Sequence, residues 1–233
     1  MLKNFLAATG EVMPRAERCE VFWSEVTEVG ARDLAIVDGI ERDRLARFRR
    51  SEDRNRFATA AVLLRRQSGL LLGTDPGDVW VRRACAVCGG GHGKPTLPGT
   101  DLFASVTHAG DLVGVALTRI APVGIDIERC RAIDLALLRG QVLGPGEIAR
   151  SSDDFLRYWT RKEALTKATG DGIGVGLSDV RVTAPTEAAG LLSYPRRPGL
   201  RAQVSDLDGA QGYVASIAIL TDRAVRFRES HVA

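Results

Sequence analysis

The spacing of apolar residues changes several times along the chain, and each change marks an element. In residues 51–66, Phe57, Ala60, Ala61 and Leu64 recur at helical spacing behind Ser51, with Glu52 and Asp53 in the first turn. A capping hydroxyl followed by acids at the positive end of the helix dipole predicts an amphipathic helix. It should end near residues 69–73, ahead of the turn cluster Thr74-Asp-Pro-Gly. Residues 102–107 and 112–117 are alternating apolar stretches, and the Ala109-Gly-Asp link between them suits a hairpin. Residues 123–128 alternate cleanly: Val123, Ile125 and Ile127 fall on one face, Gly124, Asp126 and Glu128 on the other. Residues 133–143 and 155–168 read as helices, the second behind Ser151-Ser-Asp-Asp and ahead of Gly170. Residues 177–183, 203–205, 212–220 and 224–228 are strand-like. Strands and helices thus come in two similar batches, which predicts an α+β fold of two halves, residues 1–120 and 121–233.

At 233 residues and 45% hydrophobic content the chain can bury a sizeable core. It has no apolar run of about 18 residues and no basic, apolar leader at its start, so neither a membrane span nor a secretory signal is expected, and the cytoplasm is the default compartment. Four cysteines, Cys19, Cys85, Cys88 and Cys130, are too few and too irregular for a disulfide framework. The formal charge of +3 does not suggest wholesale nucleic-acid binding, although arginines crowd between Arg42 and Arg66. Only Lys3, Lys94, Lys162 and Lys167 are lysines among the 32 basic residues, and three of these fall in the segments that carry candidate chemistry.

Gly124-Ile-Asp-Ile-Glu projects Asp126 and Glu128 from one strand face, a donor pair suited to a hard divalent cation or, more blandly, to a solvated surface. In Trp159-Thr-Arg-Lys-Glu-Ala-Leu-Thr-Lys, the residues Trp159, Glu163 and Lys167 recur every fourth position and stack along one helical stripe. That stripe is either a surface ion pair or, with the tryptophan partly buried, a candidate acid, base or ligand set. His108 closes Ser105-Val-Thr-His where a strand gives way to a turn, and Lys94 lies in the loop His92-Gly-Lys-Pro. Cys85, Cys88 and His92 have metal-ligand spacing, but no second Cys or His pair follows to complete a zinc site. The run Gly170-Asp-Gly-Ile-Gly-Val-Gly follows a helix rather than linking a strand to one, so it reads as a flexible exit and not as a phosphate-binding loop.

Gly-Ile-Asp-Ile-Glu followed by Trp-Thr-x-Lys-Glu-Ala-x-x-Lys resembles the paired signature of the 4'-phosphopantetheinyl transferase superfamily. His-Gly-Lys-Pro, Phe-x-Ser-x-Thr-His and the helix from Phe48 onward look like its Sfp-like class, in the same order, over residues 42–173. Ala109 stands where such proteins commonly carry Ser or Thr after the histidine. The resemblance implies two pseudo-symmetric halves in one chain, a monomer, with the active site in the cleft between them. It implies an Mg²⁺-dependent enzyme of the holo-acyl-carrier-protein synthase type. Such an enzyme moves 4'-phosphopantetheine from coenzyme A to a serine of acyl or peptidyl carrier domains, releasing 3',5'-ADP. It further implies that Asp126, Glu128 and Glu163 ligate Mg²⁺, that Glu163 serves as base, and that Lys167 neutralises charge on phosphate. Arg56, Lys94, Thr107 and His108 would hold the phosphates of coenzyme A, with Asp126 reaching them through the metal. The competing readings are a non-catalytic binder of coenzyme A or carrier domains, and an arginine-rich nucleic-acid binder that leaves the acid pairs unexplained. Neither nucleic acid nor membrane is expected as a partner.

Overall fold

A computed structural model of the chain describes residues 18–84, 89–91 and 93–232. The Cys85, Cys88 and His92 group considered for zinc lies outside the described residues. The fold is α+β, with small, mostly antiparallel sheets packed against helices as the alternation of patterns requires.

The first sheet contains β1 (Arg18–Glu25), β2 (Phe103–Ala109) and β3 (Leu112–Thr118), in the order β2-β3-β1, and the chain's last strand, β9 (Arg226–His231), adds beside β1 in parallel. Strand β1 was not among the expected elements, although it buries Cys19, Val21 and Trp23 with a period of two. Three helices belong to this region: α1 (Ala31–Ala35), α2 (Gly39–Arg47) and α3 (Ser51–Leu72), the last stopping at Gly73 in the left-handed conformation. The second sheet comprises β4 (Val123–Arg129), β8 (Tyr213–Ile219) and β7 (Gln203–Leu207), ordered β4-β8-β7 and entirely antiparallel. Helix α4 (Leu135–Val142) precedes α5 (Ser152–Thr169), which packs on this sheet with Ser151 as its N-cap and Gly170 as its left-handed C-cap. A small pair, β5 (Arg181–Val182) with β6 (Leu191–Ser193), completes the set. Residues 177–183, expected as one strand, split into a 3-10 turn at Leu177–Asp179 and the two-residue β5.

Several of the crowded arginines are cross-links with separate partners. Arg65 is fully buried and donates to Glu41, Asp38 and the Val79 carbonyl, while Arg66 pairs with Asp33. The guanidinium of Arg44 lies 4.5 Å over the Phe57 ring. Buried ionic groups of this kind need every partner, because an orphaned charge in the interior costs far more than a surface one. The Gly-rich exit after α5 is likewise tied down: Asp171 accepts from Tyr194 and from Arg197 at two atoms, which drives its carboxyl down to about 2.

Where α5 crosses β4, the two backbones nearly touch. A Cβ on Gly124 would sit 1.9 Å from the Ala164 carbonyl oxygen and 2.4 Å from the Ala168 nitrogen. Glycine is required here by close approach, with Ala164, Leu165 and Ala168 buried on the helix side. Gly124→Ala should therefore push α5 off the sheet and destabilise the protein by about 3 kcal/mol, read as a lower urea midpoint at unchanged slope. An unchanged midpoint would show that the helix is not seated by this contact.

Candidate active site

The pleat of β4 separates two duties. Val123, Ile125 and Ile127 enter the core with Cys19, Val21, Trp23 and Ile217, while Gly124, Asp126 and Glu128 face α5. The main-chain groups divide in the same way. Pro122 accepts from Leu220 and Cys130 donates to Gly212, so the even-numbered residues between them pair with β8 and the odd-numbered ones point toward the free edge. Among the described residues no strand covers that edge. Instead the Ile125 amide donates to Ser105 Oγ at 3.1 Å, and the Ile127 amide donates to Thr107 Oγ1 at 3.1 Å. The carbonyl of Val123 accepts from Lys94 Nζ at 2.8 Å, and that of Ile125 from Lys167 Nζ at 3.1 Å. Lys94 also donates to the Ala168 carbonyl at 3.1 Å, so it ties the loop to both β4 and α5, and burial pulls its pKa down to about 8.

Along this seam three of the expected residues, Asp126, Thr107 and Lys167, come into contact. Asp126 is buried, and its Oδ1 accepts from Lys167 Nζ at 2.6 Å and from the Thr107 hydroxyl at 3.4 Å. Its Oδ2 is buried with no partner. Burial pushes the Asp126 carboxyl above its ordinary value, opposed by Lys167, Thr107 and the Ile127 amide. Glu163, half-buried one turn before Lys167, is raised by burial first and then by the charges of Asp126 and Glu128. Glu128 is raised by burial and by Asp126, with Arg131 and Lys167 pulling the other way. His108 lies near the end of β2, where the strand turns into the hairpin; desolvation of its ring, then the positive charges of Lys167 and Arg56, hold its pKa below the ordinary imidazole value. Arg56 donates Nε to the Gly110 carbonyl at 2.7 Å and pairs with Asp53, so it grips the turn that carries His108.

Other residues of the site were not singled out in advance. Ser105 was legible only as part of a motif, and its acceptor role depends on a strand twenty residues away. Beneath α5, Asp126, Ser216 and Asp206 form one row across three strands. Ser216 bridges Thr160 and Asp206, and the fully buried Arg161 grips Asp206 with two nitrogens. Lys162, from the helical motif, is not at the site: it is fully buried, donating to the Val142 carbonyl and to Glu147.

No group of three or more His, Cys, Asp or Glu side chains is gathered closely enough to hold a metal ion among the described residues. The donor set nevertheless suits a hard cation, because the Asp126 charge raises the pKa of both Glu128 and Glu163 and one buried oxygen of Asp126 is unpartnered. The family model of the "4'-phosphopantetheinyl transferase superfamily" matches residues 122–218, which span β4, α5 and most of β8. The 4'-phosphopantetheinyl transferase HetI of Nostoc sp. is 35% identical over 180 residues, 70% of this chain and 72% of that protein. The chain belongs to this superfamily. The 4'-phosphopantetheinyl transferase Sfp of Bacillus subtilis is 25% identical over 163 residues, covering 66% of this chain and 70% of its own. The 4'-phosphopantetheinyl transferase psf-1 of Bacillus pumilus is 35% identical over 113 residues, covering 45% and 48%. As in the Sfp-like resemblance, the matched region of this transferase includes the acid-bearing strand and the helix above it.

The seam gives Lys94 a role that needs no ligand. Lys94→Met should leave two carbonyls without their donor and lower ligand-free stability by about 2 kcal/mol in urea unfolding. Unchanged stability would mean that Val123 and Ala168 do not depend on it.

Proposed function

We propose that the protein transfers 4'-phosphopantetheine from coenzyme A to a serine hydroxyl of an acyl or peptidyl carrier domain, with Mg²⁺. The observation that carries this reading is the hub at Asp126, where Lys167 and Thr107 converge on one carboxylate oxygen, the other is buried without a partner, and the charge raises the pKa of Glu128 and Glu163. Asp126, Glu128 and Glu163 would hold the ion, which when bound supplies charge neutralisation for the pyrophosphate of coenzyme A.

The remaining chemistry falls to the chain's own residues. The serine oxygen forms a bond to the phosphorus that carries the pantetheine arm, the bond from that phosphorus to the 3',5'-ADP oxygen breaks, and the serine proton passes to Glu163. A carboxylate whose pKa is raised by burial and by two neighbouring acids is a stronger base than one in bulk water. Lys167 faces the charge that builds on the transferring phosphate and on the departing 3',5'-ADP. His108, exposed beside Arg56, and the third ammonium proton of Lys94 can meet the anionic arms of coenzyme A, with Thr107 fixing the floor beneath them. The same reading takes the enzyme as a cytoplasmic monomer of two halves, serving fatty-acid, polyketide or nonribosomal-peptide carriers. No helix among the described residues is long and apolar enough to cross a membrane.

Incubation with coenzyme A, Mg²⁺ and apo carrier domains, followed by weighing the carriers intact, tests the reaction; carriers that never gain the pantetheine mass would refute it. Glu163→Gln should cut single-turnover transfer by about a hundredfold at saturating carrier, in line with the loss of a general base. Its melting temperature should stay near that of the wild type, since the half-buried Glu163 side chain forms no ion pair among the described residues, Lys167 being paired with Asp126 instead. Near-wild-type transfer by this variant would remove Glu163 from the chemistry.

A further inference from the structure

Lys167 has three ammonium protons and three acceptors: Asp126 Oδ1 at 2.6 Å, the Ile125 carbonyl at 3.1 Å and Thr107 Oγ1 at 3.4 Å. It is therefore fully engaged inside the seam rather than offered to the cleft. Asp126, for its part, is satisfied on one oxygen only, and the other is buried and bare. Counting Glu128 and Glu163, three carboxylates face one ammonium, which leaves two negative charges when all are ionised; Arg131 bears on Glu128 from outside. The other lysine of the motif differs. Lys162 has 0% of its side chain exposed and is locked between Val142 and Glu147, whereas Lys167 keeps 30% exposed to solvent.

We propose that Lys167 is the resident counter-ion of the carboxylate cluster: it holds Asp126 while no divalent cation is bound, and a cation that engages Asp126 releases it toward the cleft. The lysine would then reach phosphate only after the acids are otherwise neutralised, so that loading of the ion and readiness of the lysine are one event. This rests on the divalent-cation reading above, and it makes a claim that the reading alone does not: the lysine opposes cation binding.

The test is Mn²⁺ binding to the full ligand-free chain, followed by electron paramagnetic resonance of the free ion, in wild type, Lys167→Met and Lys167→Arg. Removing one positive charge from the cluster should tighten Mn²⁺ binding on the order of tenfold, about 1.4 kcal/mol, in Lys167→Met. Lys167→Arg keeps the charge and should bind nearly as the wild type does. Lys167→Met should also melt lower than the wild type without metal and gain more on Mn²⁺ addition. If it does not fold, Lys167→Gln, which keeps a donor to Asp126, should show the same tightening. Equal or weaker Mn²⁺ binding by the neutral variants, with wild-type binding intact, would overturn the counter-ion role and leave the divalent reading standing. Absence of Mn²⁺ binding in every variant, wild type included, would sink both.

Discussion

The free edge of β4 is closed by side chains, and the site depends on that closure. A strand edge carries unpaired amides and carbonyls that must find partners once water is excluded. Here Ser105 and Thr107 accept from Ile125 and Ile127, advancing two residues on each strand, while Lys94 and Lys167 donate to Val123 and Ile125. Leaving either amide buried and unpaired would cost about 1–3 kcal/mol. Because the partners come from β2, from the loop before it and from α5, the edge can be satisfied only when the two sheets and the helix are in register.

That requirement is what turns packing into chemistry. Thr107 cannot accept the Ile127 amide without also lying beside Asp126, and Lys167 cannot reach the Ile125 carbonyl without reaching the adjacent carboxylate. Gly124 allows the helix close enough for both, and the row Asp126, Ser216 and Asp206 continues the polar floor to Arg161. The same two-sided duty appears at the far end of the first sheet. Glu229 of β9 accepts from the Trp23 indole and from the amides of Asp208 and Gly209, so the last strand of the chain also fastens the turn between β7 and β8.

Much of this was legible in the sequence, because period two and period 3.6 are local signals. The faces of β4 follow from alternation, and α5 follows from its cap, its stripe and its terminal glycine. The family signature placed the acids and Lys167, and the fold brings Asp126, Thr107 and Lys167 into direct contact. What was not legible is long-range. Nothing local in Ser105 tells that its hydroxyl serves an amide twenty residues on, and nothing in the arginines around α3 distinguishes the buried Arg65 from the exposed Arg66. Strand β1 was legible but overlooked: Cys19, Val21 and Trp23 alternate as clearly as β4 does. Residues 177–183 carried a strand-like composition that a 3-10 turn overrode, its end closed by the Val180 amide donating to the Leu177 carbonyl.

Amide hydrogen exchange in the native, ligand-free protein measures the closure of the edge directly. If side chains complete β4, the Ile125 and Ile127 amides should exchange as slowly as those of Gly124 and Asp126, which pair with β8. In Ser105→Ala, Ile125 alone should lose protection, and in Thr107→Val, Ile127 should lose it together with the ordering of Asp126. Rapid exchange at Ile125 and Ile127 in the wild type, with their even-numbered neighbours protected, would contradict the account, because the edge would then be open to water.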